Sequence, residues 1–213
     1  MPINVERLVI VGAGGHGREA FDVVESINRL VTTFDFLGFL DDGEVDAALL
    51  DERHTSVIGN VARLTGLEAS YLIAIGSGAA RRRIDAIATA AGRLAAVAIH
   101  PAATLGANVR VGPGAIIAAG ARLTTNITLG RHVHVNTNAT IAHDCVLGDY
   151  VTVSPGVNIA GNVSIGDGAL LGAGSAVIQG IRIGAGTTVG AGATVVRDLP
   201  PGIVAVGTPA RPR

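Results

Sequence analysis

Two short stretches of this chain combine residue types that can do chemistry. The first is Thr140-Ile141-Ala142-His143-Asp144-Cys145, where an imidazole adjoins a carboxylate. Imidazole titrates near neutral pH, so it can take a proton from a nucleophile and give it back. A carboxylate beside it holds one tautomer and stabilises the imidazolium. Such a pair suits acyl transfer from a thioester to an amine or a hydroxyl, given a backbone N–H to meet the oxyanion. Six histidines are present: His16, His54, His100, His132, His134 and His143. Any of them taken alone reads as a surface or structural residue, and His143 is set apart by its neighbourhood. His132 and His134 together with His143 would suggest zinc. They stand in a different six-residue unit from His143, so no metal is expected. The second stretch, Gly12-Ala13-Gly14-Gly15-His16-Gly17, fits G-x-G-x-x-G between a strand and a helix. Backbone N–H groups and the helix N-terminus in such a turn can hold phosphate oxygens.

The elements that must position these residues differ in kind along the chain. Up to about residue 98 the pattern alternates strand and helix. Residues 7–11 are an apolar strand, followed by the glycine loop and a helix to about residue 29. Phe34 to Leu40 is a second strand ending in Asp41-Asp42, and Tyr71 to Ile75 is a third, closed by Gly76-Ser77-Gly78. A helix carrying Arg81, Arg82 and Arg83 follows, and Leu94 to Ile99 reads as the last strand. This predicts a small α/β domain with a parallel sheet, Rossmann-like, over residues 1–98. About 100 residues hold one mononucleotide-binding half, not the two of a dinucleotide-binding dehydrogenase. A tight turn with no ligand is the plain alternative for the loop. For Arg81 to Arg83, pairing with a diphosphate competes with a solvated helix face.

From residue 99 to the C-terminus the rule changes. Every sixth residue from Ile99 through Val195 is Leu, Ile or Val, without a slip of register. A six-residue period predicts a parallel β-helix, three hexads to a triangular coil, over residues 99–213. Residues 18 apart then stack at about the strand spacing of 4.8 Å. Gly, Asn and Asp are expected at the corners, where φ is positive. His143 and Asp144 lie between the inward slots of Ile141 and Cys145, outward and near a corner. Neighbours on a flat strand point to opposite faces, so pairing these two requires a corner. Gly161 stacks over His143 and Asn162 over Asp144, leaving room for a ligand. Pro200 and Pro201 cannot donate to a ladder and are expected to end the repeat.

Composition narrows the function further. The net charge is −1, so no basic field recruits nucleic acid or anionic lipid. All 16 basic residues are Arg, which excludes a Schiff-base or P-loop lysine. The single Cys145 points to a reducing cytoplasm, and no apolar run is long enough to suggest a membrane span.

The hexads resemble those of the left-handed β-helix acyltransferases, and the handedness is what that resemblance implies. With Ile-Ala-His-Asp-Cys at 141–145 and Ile159-Ala160-Gly161-Asn162, the whole chain resembles the bacterial sialic acid O-acetyltransferase family. Its members include N-acetyltransferases of nucleotide-linked 4-amino-4,6-dideoxysugars in the bacillosamine and perosamine pathways. The resemblance implies that His143 is the general base and that Asp144 modulates it. It implies acetyl-CoA lying along the coils between subunits of a homotrimer, bordered by Thr152, Gly161, Ala173 and Ala191. Some members carry a second histidine where this chain has Thr152. It also implies a nucleotide sugar, UDP- or GDP-linked, bound by Gly14, Gly15, His16, Asp41, Asp42 and Gly76. The alternatives are an O-acetyltransferase acting on a sialic acid or another sugar hydroxyl, and a non-catalytic β-helix scaffold.

Overall fold

The computed structural model describes residues 5–213, which divide into two compact units, one ending at Ala98 and the other spanning Ile99–Arg213. In the first, β1 (Glu6–Val11), α1 (Gly15–Leu30), β2 (Phe34–Leu40), α2 (Ala47–Asp51), β3 (Val57–Gly59), β4 (Ser70–Ile73) and α3 (Gly78–Ala90) follow in order. The four strands form one parallel sheet in the order β3-β2-β1-β4. Leu8, Val9, Ile10 and Val11 are wholly buried, as a strand with neighbours on both sides requires. Helix α1 buries Ala20, Phe21, Val23 and Val24 along one face. The short α2 and β3, and a 3-10 turn at Val61–Gly66, carry too few residues for a periodic signal.

One expected strand is replaced. Of the stretch from Leu94 to Ile99, only Ala95 bridges to Tyr71, while Ala98–Ile99 is already the first rung of the β-helix. Its continuous apolar pattern hid the change of partner.

The second unit is three parallel sheets of two-residue rungs with a register of 18. The first face includes Arg122–Leu123, Thr140–Ile141, Asn158–Ile159 and Ala176–Val177; the second, Thr128–Leu129, Val146–Leu147 and Ser164–Ile165; the third, His134–Val135, Thr152–Val153 and Leu170–Leu171. The aliphatic ladder points inward. Ile117 through Val195 are buried at every sixth position, while Ile99, Leu105 and Val111 in the first coil are only half-buried. Three residues after each ladder position from Leu105 to Val189, φ is positive. Most of these corner residues are Gly, Asn or Asp, but His132 and Tyr150 also adopt it, their rings stacked 5.7 Å apart. Glycines directly after ladder residues have another cause: a β-carbon on Gly106 would collide with the Thr124 carbonyl of the next coil. The prolines end the hexads but not the sheet. Val204–Val206 pairs in parallel with Thr188–Val189, and Arg211–Pro212 closes the third face in antiparallel fashion.

Candidate active site

The corner between the first and second faces holds His143 and Asp144. Asp144 sits at φ 61, and this left-handed turn brings two sequence neighbours to one side. The His143 Nδ1 and Asp144 Oδ2 atoms are 2.8 Å apart. Both side chains stay open to solvent, at 54% and 44% relative exposure. An ionised carboxylate can only accept, so the Nδ1 edge of the ring faces Asp144 and the Nε2 edge points away from it. The His143 imidazole, and after it the Asn126 amide, hold the Asp144 carboxyl below its ordinary value. Behind the pair, the thiol of Cys145 is buried 3.2 Å from the Ala160 carbonyl oxygen, and burial pushes its pKa up.

Gly161 lies one coil beyond His143, where a β-carbon would meet the imidazole ring. The Asn162 N–H donates to the His143 carbonyl at 2.9 Å, fixing the backbone on which the ring stands. The remaining residues of the expected cofactor track lie elsewhere in one chain. Ala173 and Ala191 are exposed on the corner between the third and first faces, and Thr152 is buried on the third face. His132 lies at the corner between the second and third faces and His134 on the third face, so neither meets His143. Among the described residues no group of three His, Cys, Asp or Glu side chains could hold a metal ion.

In the first unit the expected binding residues converge. Gly14 and Gly15 follow β1, Asp41 and Asp42 follow β2, and Gly76 follows β4. These are the C-terminal ends of three adjacent parallel strands, the crevice where such sheets bind ligands. Gly14, Gly15 and Gly76 have no atom within 4 Å of where a side chain would begin, so open space lies over all three. Gly12 is different: at φ 100, its β-carbon would press on the Ala74 carbonyl at 2.8 Å. His16, at the start of α1, pairs with Glu19 at 3.1 Å. Asp41 shapes the crevice, its two oxygens accepting from the Ala13 N–H at 2.7 Å and the Gly43 N–H at 2.8 Å. Asp42 accepts from the Val61 N–H at 2.9 Å.

Two residues matter more than their sequence context indicated. Arg81 does not lie on a solvated helix face. It is fully buried and donates to the carbonyls of Ile75 and Gly76, both at 2.9 Å, bracing the loop after β4. Asn126 donates to the Asp144 carboxylate. Its signal was present in the run Asn108, Asn126, Asp144, Asn162, spaced by 18.

Residues 7–86 match the PglD N-terminal domain, and residues 126–161 and 162–197 each match the bacterial transferase hexapeptide family (six repeats). No curated protein sequence matches the chain. Among solved structures, PerB from Caulobacter crescentus, in complex with CoA and GDP-perosamine, is 33% identical over 100% of both chains, with a TM-score of 0.89. The acetyltransferase domain of PglB from Neisseria gonorrhoeae FA1090, in complex with acetyl coenzyme A, is 35% identical over 99% of this chain and 100% of that one, with a TM-score of 0.86. WeeI from Acinetobacter baumannii AYE is 28% identical over 97% and 99%, with a TM-score of 0.84. An α/β unit followed by a left-handed parallel β-helix carrying the hexapeptide repeat is common ground, and the chain belongs to the PglD-like family of hexapeptide-repeat acetyltransferases.

Proposed function

We propose that this protein transfers the acetyl group of acetyl-CoA to the 4-amino group of a nucleotide-linked 4-amino-4,6-dideoxysugar. The observation that carries the reading is the 2.8 Å His143–Asp144 pair on an open corner, with the ring under a glycine. The amine attacks the thioester carbon while neutral. His143 Nε2 takes its proton as the C–N bond forms, and Asp144 stabilises the imidazolium. The N–H of Ala160 is taken by Val177 and that of Asn162 by His143, leaving that of Gly161 for the oxyanion. The C–S bond then breaks, and the departing thiolate receives the proton from His143.

The acceptor class is supported by PerB, whose complex holds CoA and GDP-perosamine. It is also supported by the open glycine crevice, with Gly14, Gly15, His16, Asp41, Asp42 and Gly76 as its contacts. A homotrimer belongs to this reading: Gly161 lies on one corner and Ala173 and Ala191 on another, so a cofactor bordering all three would be completed by a neighbouring copy. Thr152, on the third face, would border it on the neighbouring side. The lone buried thiol of Cys145 fits a cytoplasmic setting, and no helix among the described residues is long and apolar enough to cross a membrane.

The test is release of CoA thiol from acetyl-CoA with UDP- and GDP-linked 4-amino-4,6-dideoxysugars and their 4-hydroxy analogues. Turnover on an amino sugar, lowered about 10²- to 10⁴-fold by His143→Ala, is the expected outcome. Turnover on the hydroxy sugars alone would assign O-acetylation instead. Full turnover by His143→Ala would remove the base assignment.

A further inference from the structure

We propose that Asn126 is a positioning residue for acyl transfer, locking the Asp144 carboxylate in the orientation that presents its second oxygen to His143, with Asn108 locking Asn126 in turn. The inference rests on the reading of His143 as the base.

Asn108, Asn126 and Asp144 occupy one corner of successive coils, 18 residues apart, at φ 58, 55 and 61. Their side chains form a one-way chain. Asn108 Nδ2 donates to Asn126 Oδ1 at 3.1 Å, and Asn126 Nδ2 donates to Asp144 Oδ1 at 3.0 Å. The other oxygen, Oδ2, faces His143 Nδ1 at 2.8 Å. Because Asn108 occupies the amide oxygen, Asn126 can offer only its NH₂ end to the carboxylate.

Two effects follow. A carboxylate at an exposed corner rotates broadly about its last torsion, and partners on both oxygens fix its plane. The aligned amides also polarise one another toward the charge, favouring the ionised form. This agrees with Asp144 being held below its ordinary value by His143 first and Asn126 second. The titratable groups coupled to Asp144 are the His143 imidazole and the Cys145 thiol. The corner by itself does not call for asparagine, since Gly114, Gly120, Gly156 and Gly168 make the same turn. The amide therefore serves something beyond the backbone.

Two variants keep the turn and change the donor. Asn126→Gly removes the amide, while Asn126→Asp keeps the shape but sets a second carboxylate against the first. Glycine and aspartate both accept a left-handed φ, so melting temperatures should stay near wild type. A charged hydrogen bond lost at the dyad predicts kcat about 10- to 100-fold lower in Asn126→Gly at neutral pH, with both KM values unchanged. Asn126→Asp should lose at least as much at neutral pH and recover toward wild type as the pH is lowered and the new carboxyl regains a proton to donate. In a His143→Ala background, Asn126→Gly should cost nothing further, because its effect passes through the imidazole.

Wild-type kcat and pH profile in both asparagine variants would overturn the proposal, as would a full additive loss in the His143→Ala background. If His143→Ala alone keeps its turnover, the base reading has failed instead, and the asparagine variants are not what failed.

Discussion

Across one coil, His143 and Gly161 face each other so closely that a methyl group on Gly161 would stand 2.5 Å from the imidazole Nε2. Gly161 is not in a left-handed conformation, so its backbone accepts other residues. Space beside the ring is what restricts the position.

Gly161→Ala should therefore fold normally and fail catalytically. The added methyl tilts the ring away from Asp144 or covers Nε2, and kcat should fall by about 10²-fold or more, the range for losing a general base. Thermal melting together with steady-state kinetics checks this. A variant that keeps full turnover would mean that the ring does not work from this position.

Asp144→Asn should alter how stability depends on pH. The folded carboxyl is held below its ordinary value of 3.8, with the His143 hydrogen bond the larger cause and Asn126 next. A group depressed on folding stabilises the protein above its unfolded value, and that contribution fades as the pH falls through the folded one. The wild type should thus be the more stable near neutral pH, by a small margin because the pair is exposed. The difference should shrink below pH 3.8. Urea midpoints of both proteins across the acid range measure it.

Ile141 fills an inward slot two residues before His143 and is wholly buried. Ile141→Ala leaves a hole between stacked coils that short rungs cannot close, and should cost about 2–5 kcal/mol. Denaturant unfolding gives the value. Ile141→Val, which keeps most of the contact, should cost about 0.5–1.5 kcal/mol.

In the first unit, Gly14 stands at φ −70 with open space in front of it. Gly14→Val is compatible with the backbone but fills the crevice. It should raise KM for the nucleotide sugar about tenfold or more, equivalent to ~1.4 kcal/mol, without changing stability or the KM for acetyl-CoA. Unchanged affinity for the sugar would place the nucleotide elsewhere.

Much of this site can be read from order along the chain because the β-helix converts sequence spacing into spatial neighbours. In a coil of 18 residues, His143 and Gly161 must stack, as must Asn126 and Asp144. Legibility fell where contacts have no fixed period. Arg81 reads as one of three helix-face arginines, yet it is buried against the carbonyls of Ile75 and Gly76. Leu94 to Ile99 reads as one strand, yet its two ends serve different sheets. Asp41 reads as a ligand contact, and the sequence does not show that its two oxygens also accept from the backbone N–H groups of Ala13 and Gly43.

The sequence by itself determined the prism, its inward ladder, and the imidazole and carboxylate on its flank, because a period of six leaves one way to bury every aliphatic residue. Tertiary structure alone decided the 2.8 Å contact that joins His143 to Asp144, the direction of the asparagine chain behind them, and the bracing of the first unit's loops. Those depend on single torsions and on partners far apart in the chain, and hydrophobic periodicity encodes neither.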